Sequence, residues 1–292
     1  MITASLVKEL REKTGAGMLD CKKALEATGA DLNAAIDWLR EKGISKAAKK
    51  ADRIAAEGLA GVLVKGNNAV IVEINSETDF VAKNEEFKSL LNTVLETLID
   101  SDAKTVEEAN KLETSEGTIE NLLISKTATI GEKLSFRRFE KITKEDNQTF
   151  GSYIHMGGRI AVLSVINGNN EEVAKDLCMQ AAAMRPKYVK REDVPASEVE
   201  HETEVIREQV MNDGTPAERV DQIVTGKLNK LFFREICLEE QAFIKNDKQT
   251  VAKYVSENNC SIAKVIRFEV GEGIEKKEED FAAEVMNQIN NK

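Results

Sequence analysis

The chain has 292 residues, of which 41% are hydrophobic and 32% charged, with only three prolines. This composition predicts a soluble, helix-rich globular protein long enough for about two domains. The formal net charge of −10 argues against a general affinity for nucleic acid, because the phosphates would be repelled. We therefore expect no direct nucleic-acid binding, and any basic patch should be local.

Nothing in the sequence suggests export or a membrane. No apolar run approaches the ~20 residues that cross a bilayer, and the first residues lack the apolar segment of a signal peptide. The cysteines lie far apart without a CxxC pair, which predicts reduced thiols and no disulfide or zinc framework; they are Cys21, Cys178, Cys237 and Cys260. We expect a cytoplasmic protein.

Residues 1–54 are predicted to form a three-helix module and its linker. Gly15-Ala16-Gly17 breaks the first apolar pattern, Asp31 suits the N-cap of a third helix, and Gly43 suits its end. The stretch Lys46–Glu57 is alanine-rich and basic, which favours a helical linker. Its lysines could contact an acidic partner, although a solvated helix face is the more common outcome for such a run.

Two β-hairpins, each followed by an amphipathic helix, form an internal repeat. Residues 61–74 and 151–166 each have the pattern of two strands around a glycine-containing turn. The helices carry apolar residues at helical spacing: Phe87, Leu90, Leu91, Val94, Leu95 and Leu98 in the first, and Val173, Leu177, Cys178, Ala181 and Met184 in the second. This order predicts an α+β protein with two related α/β sandwich subdomains, at residues 55–145 and 146–270.

The two copies differ just after their hairpins. Aligning Val70–Ile74 with Ala161–Val165 sets Thr78-Asp79-Phe80 against Asn169-Asn170-Glu171. Phe80 either fills this chain's own core or is presented to a partner. Because the second copy has a plain polar turn, the fold does not require an aromatic ring there, which favours the partner.

Other segments flank or interrupt this repeat. An inserted helical hairpin is predicted at about 187–230, with a narrow apolar stripe on each helix and a turn at Asp213-Gly214. We expect it to pack on a second copy or on the core. Residues 104–129 are expected to be helical and partly exposed, and 262–270 to form a closing strand. Residues 271–292 are expected to be a C-terminal helical module.

A search for catalytic chemistry finds little. His155 and His201 have no metal-binding spacing, and Thr225-Gly226-Lys227-Leu228 lacks the upstream glycine and the hydroxyl residue of a phosphate loop. We therefore expect no enzymatic activity, no metal and no cofactor. His155 is predicted to be an exposed or half-buried turn residue. Met18 and Leu19 would by default be core residues, or an apolar patch for a partner if exposed.

Three long motifs resemble the bacterial elongation factor Ts family. They are Thr14–Leu25, Thr78–Asn84 and Ile266–Lys276, in that order along the chain. The resemblance implies an N-terminal ubiquitin-associated-like domain, two related core subdomains, a dimerisation hairpin and a C-terminal helical module. It also implies a guanine-nucleotide exchange factor whose partner is elongation factor Tu, with a homodimer through the hairpin as a further expectation.

The resemblance further implies the site residues. Thr78, Asp79, Phe80 and Val81 are expected to enter the nucleotide-binding domain of elongation factor Tu and displace its Mg²⁺. Contacts to the partner are expected from Arg11, Met18, Leu19, Ile130 and His155, and from the C-terminal helix. The alternative is a non-catalytic scaffold whose small domain docks a peptide or a ubiquitin-like protein.

Overall fold

The computed structural model describes residues 2–275. The protein is α+β, with helices and small antiparallel sheets, as the sequence predicts. The chain divides into two compact units. Of the described residues, the first unit comprises 2–59, 72–139 and 270–275, and the second comprises 60–71 and 140–269.

The helices and strands follow one another in the order that the repeat predicts. The helices are α1 (Ala4–Thr14), α2 (Met18–Ala27), α3 (Leu32–Ala48), α4 (Asp79–Ala82), α5 (Glu85–Ile99), α6 (Val106–Ala109), α7 (Ile119–Ile130), α8 (Glu171–Met184), α9 (Ala196–Asn212), α10 (Ala217–Lys227), α11 (Phe233–Ile236) and α12 (Val251–Glu257). The strands are β1 (Glu57–Lys65), β2 (Asn68–Ser76), β3 (Glu113–Thr114), β4 (Gly117–Thr118), β5 (Ser135–Thr143), β6 (Gln148–His155), β7 (Ile160–Asn167), β8 (Ala242–Phe243), β9 (Asn246–Thr250) and β10 (Ser261–Glu269).

The N-terminal module is a three-helix unit, as predicted. Asp31 caps α3, its carboxylate accepting a 2.9 Å hydrogen bond from the N–H of Ala34. Gly15 ends α1 in the left-handed conformation, and its N–H donates to the carbonyl of Arg11. The small core consists of apolar side chains from all three helices, namely Val7, Leu10, Cys21, Ala24, Leu25 and Ala35.

The structure contradicts two helix boundaries that the sequence predicts in this region. Helix α3 does not end at Gly43 but continues to Ala48, and Gly43 is buried where a Cβ would lie 3.4 Å from the Cβ of Ala128 on α7. This glycine therefore permits a close contact between two helices. The predicted helical linker Lys46–Glu57 is helical only as far as Ala48, and residues 49–52 form turns.

Side chains hold this connection in place. Lys50 Nζ donates a 2.5 Å hydrogen bond to the carbonyl of Gly131. Lys133 Nζ donates to the carbonyls of Ala51, at 2.6 Å, and Arg53, at 2.9 Å. The segment between α3 and β1 is therefore a fixed part of the first unit and not a free linker.

The predicted hairpin-and-helix repeat is present. The two larger sheets have the strand orders β1-β2-β5 and β10-β7-β6, so the second hairpin strand is central in each. The predicted apolar residues of α5 are all buried, and those of α8 are buried except Met184, which is 46% exposed in its last turn. Strand β10 confirms the predicted closing strand.

The helical hairpin is formed by α9 and α10. Its two apolar stripes face each other, and the buried contacts are Ile206, Val210, Val220 and Val224. At its base, the hydroxyl of Tyr188 donates a 2.6 Å hydrogen bond to Glu198, and Arg191 pairs with Glu240. The hairpin therefore has a core of its own and an anchored base.

The remaining predictions are partly confirmed. Residues 104–129, expected to be helical, contain α6, the small β3-β4 hairpin and α7. The predicted C-terminal helix falls mainly on residues 276–292, which lie outside the described residues.

A fully buried carboxylate organises the end of the described chain. Glu73 on β2 accepts hydrogen bonds from Arg137 (2.9 Å), Arg138 (2.6 Å), Asn75 (3.0 Å) and the N–H of Gly271 (2.9 Å). Burial by itself would raise the pKa of Glu73. The hydrogen bonds and the nearby Arg138 charge outweigh burial, so the pKa is lowered and the carboxylate is ionised in the folded protein.

Candidate interaction site

The Thr78–Val81 segment forms a short outward-facing turn. Thr78 is the N-cap of the one-turn helix α4, and its Oγ accepts a 3.4 Å hydrogen bond from the N–H of Val81. Asn84 then caps α5 by accepting from the N–H of Glu86. Ala82 is buried and Val81 half-buried, whereas Phe80 is 79% exposed. The ring therefore does not fill this chain's core.

The structure corrects how the two copies align beyond their strands. The N-cap of α5 is Asn84, and the N-cap of α8 is Asn170. Eight residues, 77–84, separate β2 from α5, whereas three residues, 168–170, separate β7 from α8. By helix position the counterpart of Glu171 is Glu85, so its pairing with Phe80 is wrong. The turn that carries Phe80 is an insertion into the repeat.

Lys83 is the immediate neighbour of the exposed turn, and sequence reasoning missed it. Its Nζ lies 2.6 Å from the carboxylate of Asp79 and 5.8 Å from the centroid of the Phe80 ring. The hydrogen bond from Lys83 is the main reason why the pKa of Asp79 lies below its usual value. Asp79 is therefore ionised and already paired, one helical turn from its partner lysine.

Two carboxylates from separate segments hold the base of the turn. Glu132 accepts hydrogen bonds from the N–H of Thr78, at 2.9 Å, and from its hydroxyl, at 2.7 Å. Glu77 accepts a 2.6 Å hydrogen bond from the N–H of Lys133. Ile130 is the half-buried last residue of α7, two positions before Glu132. The structure therefore brings Ile130 and the Thr78–Val81 turn into one connected region.

Met18 and Leu19 are exposed, so the expectation that they are core residues is wrong. They are the first two residues of α2 and are 61% and 74% exposed. Arg11 is exposed in the last turn of α1. Two adjacent apolar side chains in solvent at a helix start suit contact with another protein.

His155 lies at the tip of the second hairpin, in the second unit. It is half-buried, as predicted, and its Nδ1 lies 3.1 Å from the hydroxyl of Tyr153. The next residue, Met156, is 72% exposed and has a φ of +50°, which is unusual for a residue with a side chain. Sequence reasoning missed Met156, although its position before Gly157-Gly158 marks a turn.

Residues 2–275 contain neither a metal-binding cluster nor a membrane-spanning helix. No group of three or more His, Cys, Asp or Glu side chains in that range could hold a metal ion. The helices of this range fall short of the length and hydropathy that a membrane span needs.

Comparisons with known proteins agree with the motifs. A profile of the family described as "Elongation factor TS" matches residues 77–272. The protein named Elongation factor Ts from Acholeplasma laidlawii (strain PG-8A) is 55% identical over 294 residues, covering 99% of each chain. The chain belongs to the elongation factor Ts family. As a member of this elongation factor Ts family, it is a factor of translation elongation, and the matched profile includes the Thr78–Val81 turn, Ile130 and His155.

Proposed function

We propose that this chain is the guanine-nucleotide exchange factor of elongation factor Tu. The observation that carries the proposal is Phe80, an aromatic side chain 79% exposed on a one-turn helix that the repeat does not need. Membership of the elongation factor Ts family supports the choice of partner. The proposed setting is the cytoplasm, where the partner works in translation.

The proposed mechanism is a competition between the factor and the nucleotide. The Phe80 ring enters between two helices of the partner, which must move to admit it. If those helices position the groups around Mg²⁺, the ion loses ligands and the GDP phosphates lose their main counter-charge. Such coupling is reciprocal. Bound nucleotide therefore weakens the affinity of elongation factor Tu for this chain by the same ratio as this chain weakens its affinity for the nucleotide.

The magnitudes show that Phe80 acts with other contacts. Lowering nucleotide affinity a thousandfold requires about 4 kcal/mol of coupling. Burying one phenylalanine contributes about 1.5–3 kcal/mol, and Phe80 is free to bury most of its surface. The further proposed contacts are Arg11, Met18, Leu19, Ile130 and His155.

Asp79 is proposed to change partner when the factor binds. In the free protein its carboxylate is paired with Lys83. Both side chains are exposed, so this pair is screened by salt and is easily exchanged for a contact in the complex. Asp79 would then help to redirect polar side chains of elongation factor Tu while Phe80 supplies the apolar burial.

The hairpin of α9 and α10 is proposed to mediate a homodimer. Its four central apolar residues are covered within the hairpin. The candidate contacts are two exposed apolar side chains, Met211 in α9 at 59% and Leu231 shortly after α10 at 60%. We also propose that residues 276–292 contact elongation factor Tu, and this part of the proposal rests on the family resemblance alone.

The deciding experiment measures release of labelled GDP from purified elongation factor Tu. The full chain should accelerate release strongly, and a folded Phe80→Ala variant should lose most of that acceleration. If the wild-type chain binds elongation factor Tu but does not change the release rate, the exchange function is wrong. That result would favour the docking scaffold.

A further inference from the structure

The base of the Thr78–Val81 turn is held by a reciprocal pair of hydrogen-bonded carboxylates, which we call the clasp. Its members are Glu77, Thr78, Glu132 and Lys133. Glu132 accepts from the backbone and the hydroxyl of Thr78, at 2.9 and 2.7 Å. Glu77 accepts from the backbone N–H of Lys133, at 2.6 Å. Each segment thus supplies one carboxylate and one backbone donor to the other.

Helix α4 requires this outside help because of its own sequence. In a capping box, an acid three residues after the N-cap binds a backbone N–H at the helix start. The third residue after Thr78 is Val81, whose side chain has no hydrogen-bond acceptor. The N–H of Thr78 is instead satisfied by Glu132, a residue 54 positions away.

A second one-turn helix in the same unit, α6, shows how a helix start can be held by hydrogen bonds from neighbouring residues instead of from a distant segment. Helix α6 also has a threonine N-cap, Thr105, whose Oγ accepts a 3.2 Å hydrogen bond from the N–H of Glu108. The carboxylate of Glu108 accepts a 2.8 Å hydrogen bond from the N–H of Lys104. The start of α6 is therefore held by its own residues, whereas the start of α4 depends on a distant loop.

The clasp continues into the segment that follows the three-helix module. Arg53 lies 3.2 Å from the carboxylate of Glu77, and Lys133 Nζ binds the carbonyls of Ala51 and Arg53. The turn, the end of α7 and the exit of α3 are thus linked by charge-assisted hydrogen bonds within one unit, and such bonds are stronger than neutral ones.

We propose that Glu132 is a positioning residue for nucleotide exchange, an inference that rests on the proposed function. It holds α4 in the conformation that presents Phe80, so little ordering is required when the factor binds its partner. Fixing a binding segment beforehand strengthens its action by reducing the entropy lost in the complex. Glu132 acts through Thr78 and need not touch elongation factor Tu.

The test compares five variants with the wild-type chain in stopped-flow GDP release from elongation factor Tu, over a range of factor concentrations. Glu132→Ala should lower the maximal release rate about tenfold, as expected when a group that positions the reacting contact is lost. Glu132→Gln retains a carbonyl acceptor for the N–H of Thr78 and should recover most of the rate. Thr78→Val removes the hydroxyl that donates to Glu132 and should slow release more than Thr78→Ser, which keeps that hydroxyl.

Glu108→Ala is the matched control. It removes a carboxylate from the start of the equivalent helix α6, so it should lower the melting temperature slightly and leave the release rate unchanged. A reduced release rate in Glu108→Ala equal to that in Glu132→Ala would overturn a specific positioning role. Peptide-resolved hydrogen exchange should show faster exchange in residues 79–83 of Glu132→Ala only.

The outcomes separate the inference from the function on which it rests. If the wild-type chain does not accelerate release, both are overturned. If the wild type is active and folded Glu132→Ala matches it, only the positioning role is overturned. If Glu132→Ala does not fold, the release rates of Thr78→Val and Thr78→Ser are compared instead. Equal release rates for these two variants would contradict the role of the clasp.

Discussion

The backbone N–H of Gly271 donates a 2.9 Å hydrogen bond to the buried carboxylate of Glu73, 198 positions earlier in the chain. Gly271 has a φ of +75°, and a Cβ there would collide with the carbonyl oxygen of Ala56. Only glycine fits this position without strain. The contact fixes the segment after β10 to a central strand of the first unit.

Glu73 should make the protein sensitive to acid. Its pKa is lowered in the folded state, so its contribution to stability is present above its unfolded pKa and is lost as pH falls through the folded value. We expect the free energy of unfolding to decrease below about pH 4.5, near the ordinary pKa of a glutamate. Urea titrations between pH 7 and pH 3 measure this dependence.

The control for this prediction is Glu73→Gln, which cannot ionise. At pH 7 it should be less stable by roughly 3 kcal/mol, because Arg137 and Arg138 lose their buried counter-charge. Its stability should fall less steeply in acid than that of the wild type. Parallel pH profiles for the two proteins would show that other carboxylates cause the acid sensitivity.

Phe80→Ala should separate folding from exchange. Because the ring is exposed and its turn is an insertion, the melting temperature should change little. GDP release should slow by roughly tenfold or more, since about 1.5–3 kcal/mol of burial is lost. The defect should be largest with Mg²⁺ present and shrink when the ion is chelated, because displacing the ion is the proposed role of the ring.

The measurement is GDP release at several Mg²⁺ concentrations, with thermal melts of both proteins. Val81→Ala is a useful comparison, since Val81 is half-buried in the same turn and should affect stability more than Phe80 does. A folded Phe80→Ala protein with normal exchange would contradict the proposal that the Phe80 ring enters between two helices of elongation factor Tu. If the loss of release rate does not depend on the Mg²⁺ concentration, Phe80 is a contact to elongation factor Tu but does not act by displacing the ion.

Met18→Ala combined with Leu19→Ala should weaken partner binding without unfolding the three-helix module. Both side chains are mostly in solvent, so their loss opens no cavity. Titration calorimetry with elongation factor Tu should show a loss of affinity, while the melting temperature should remain close to wild type. The contrasting variant Leu10→Ala, at a fully buried position, should cost about 2–5 kcal/mol of stability. Wild-type affinity in the double variant would remove this surface from the proposed interface.

The hairpin can be removed to test the homodimer. Replacing residues 202–225 by a short glycine-serine linker keeps the Tyr188–Glu198 contact at its base. The buried side chains that are lost contact one another, so the rest of the protein should remain folded. Light scattering should report a dimer for the wild type and a monomer for the variant. Equal masses for the two proteins would end the dimer proposal.

Local patterns in the sequence determined much of the architecture. Alternating and helical apolar spacing reflects which backbone conformation buries one face, so the two hairpins, α5, α8 and the α9–α10 hairpin were predicted correctly. Asp31 was recognised as a cap because its hydrogen bond is made within three residues. The three motifs also identified the family, which the comparisons confirm.

Tertiary structure alone decided which apolar residues are covered and which distant groups meet. Met18 has helical spacing with buried Cys21 and Leu25, yet 61% of its surface is exposed. Gly43 resembles a helix end in sequence and is instead a contact with α7. Periodicity describes one element at a time, and it carries no information about hydrogen bonds such as Glu132 to Thr78, because their partners meet only when separate segments pack together.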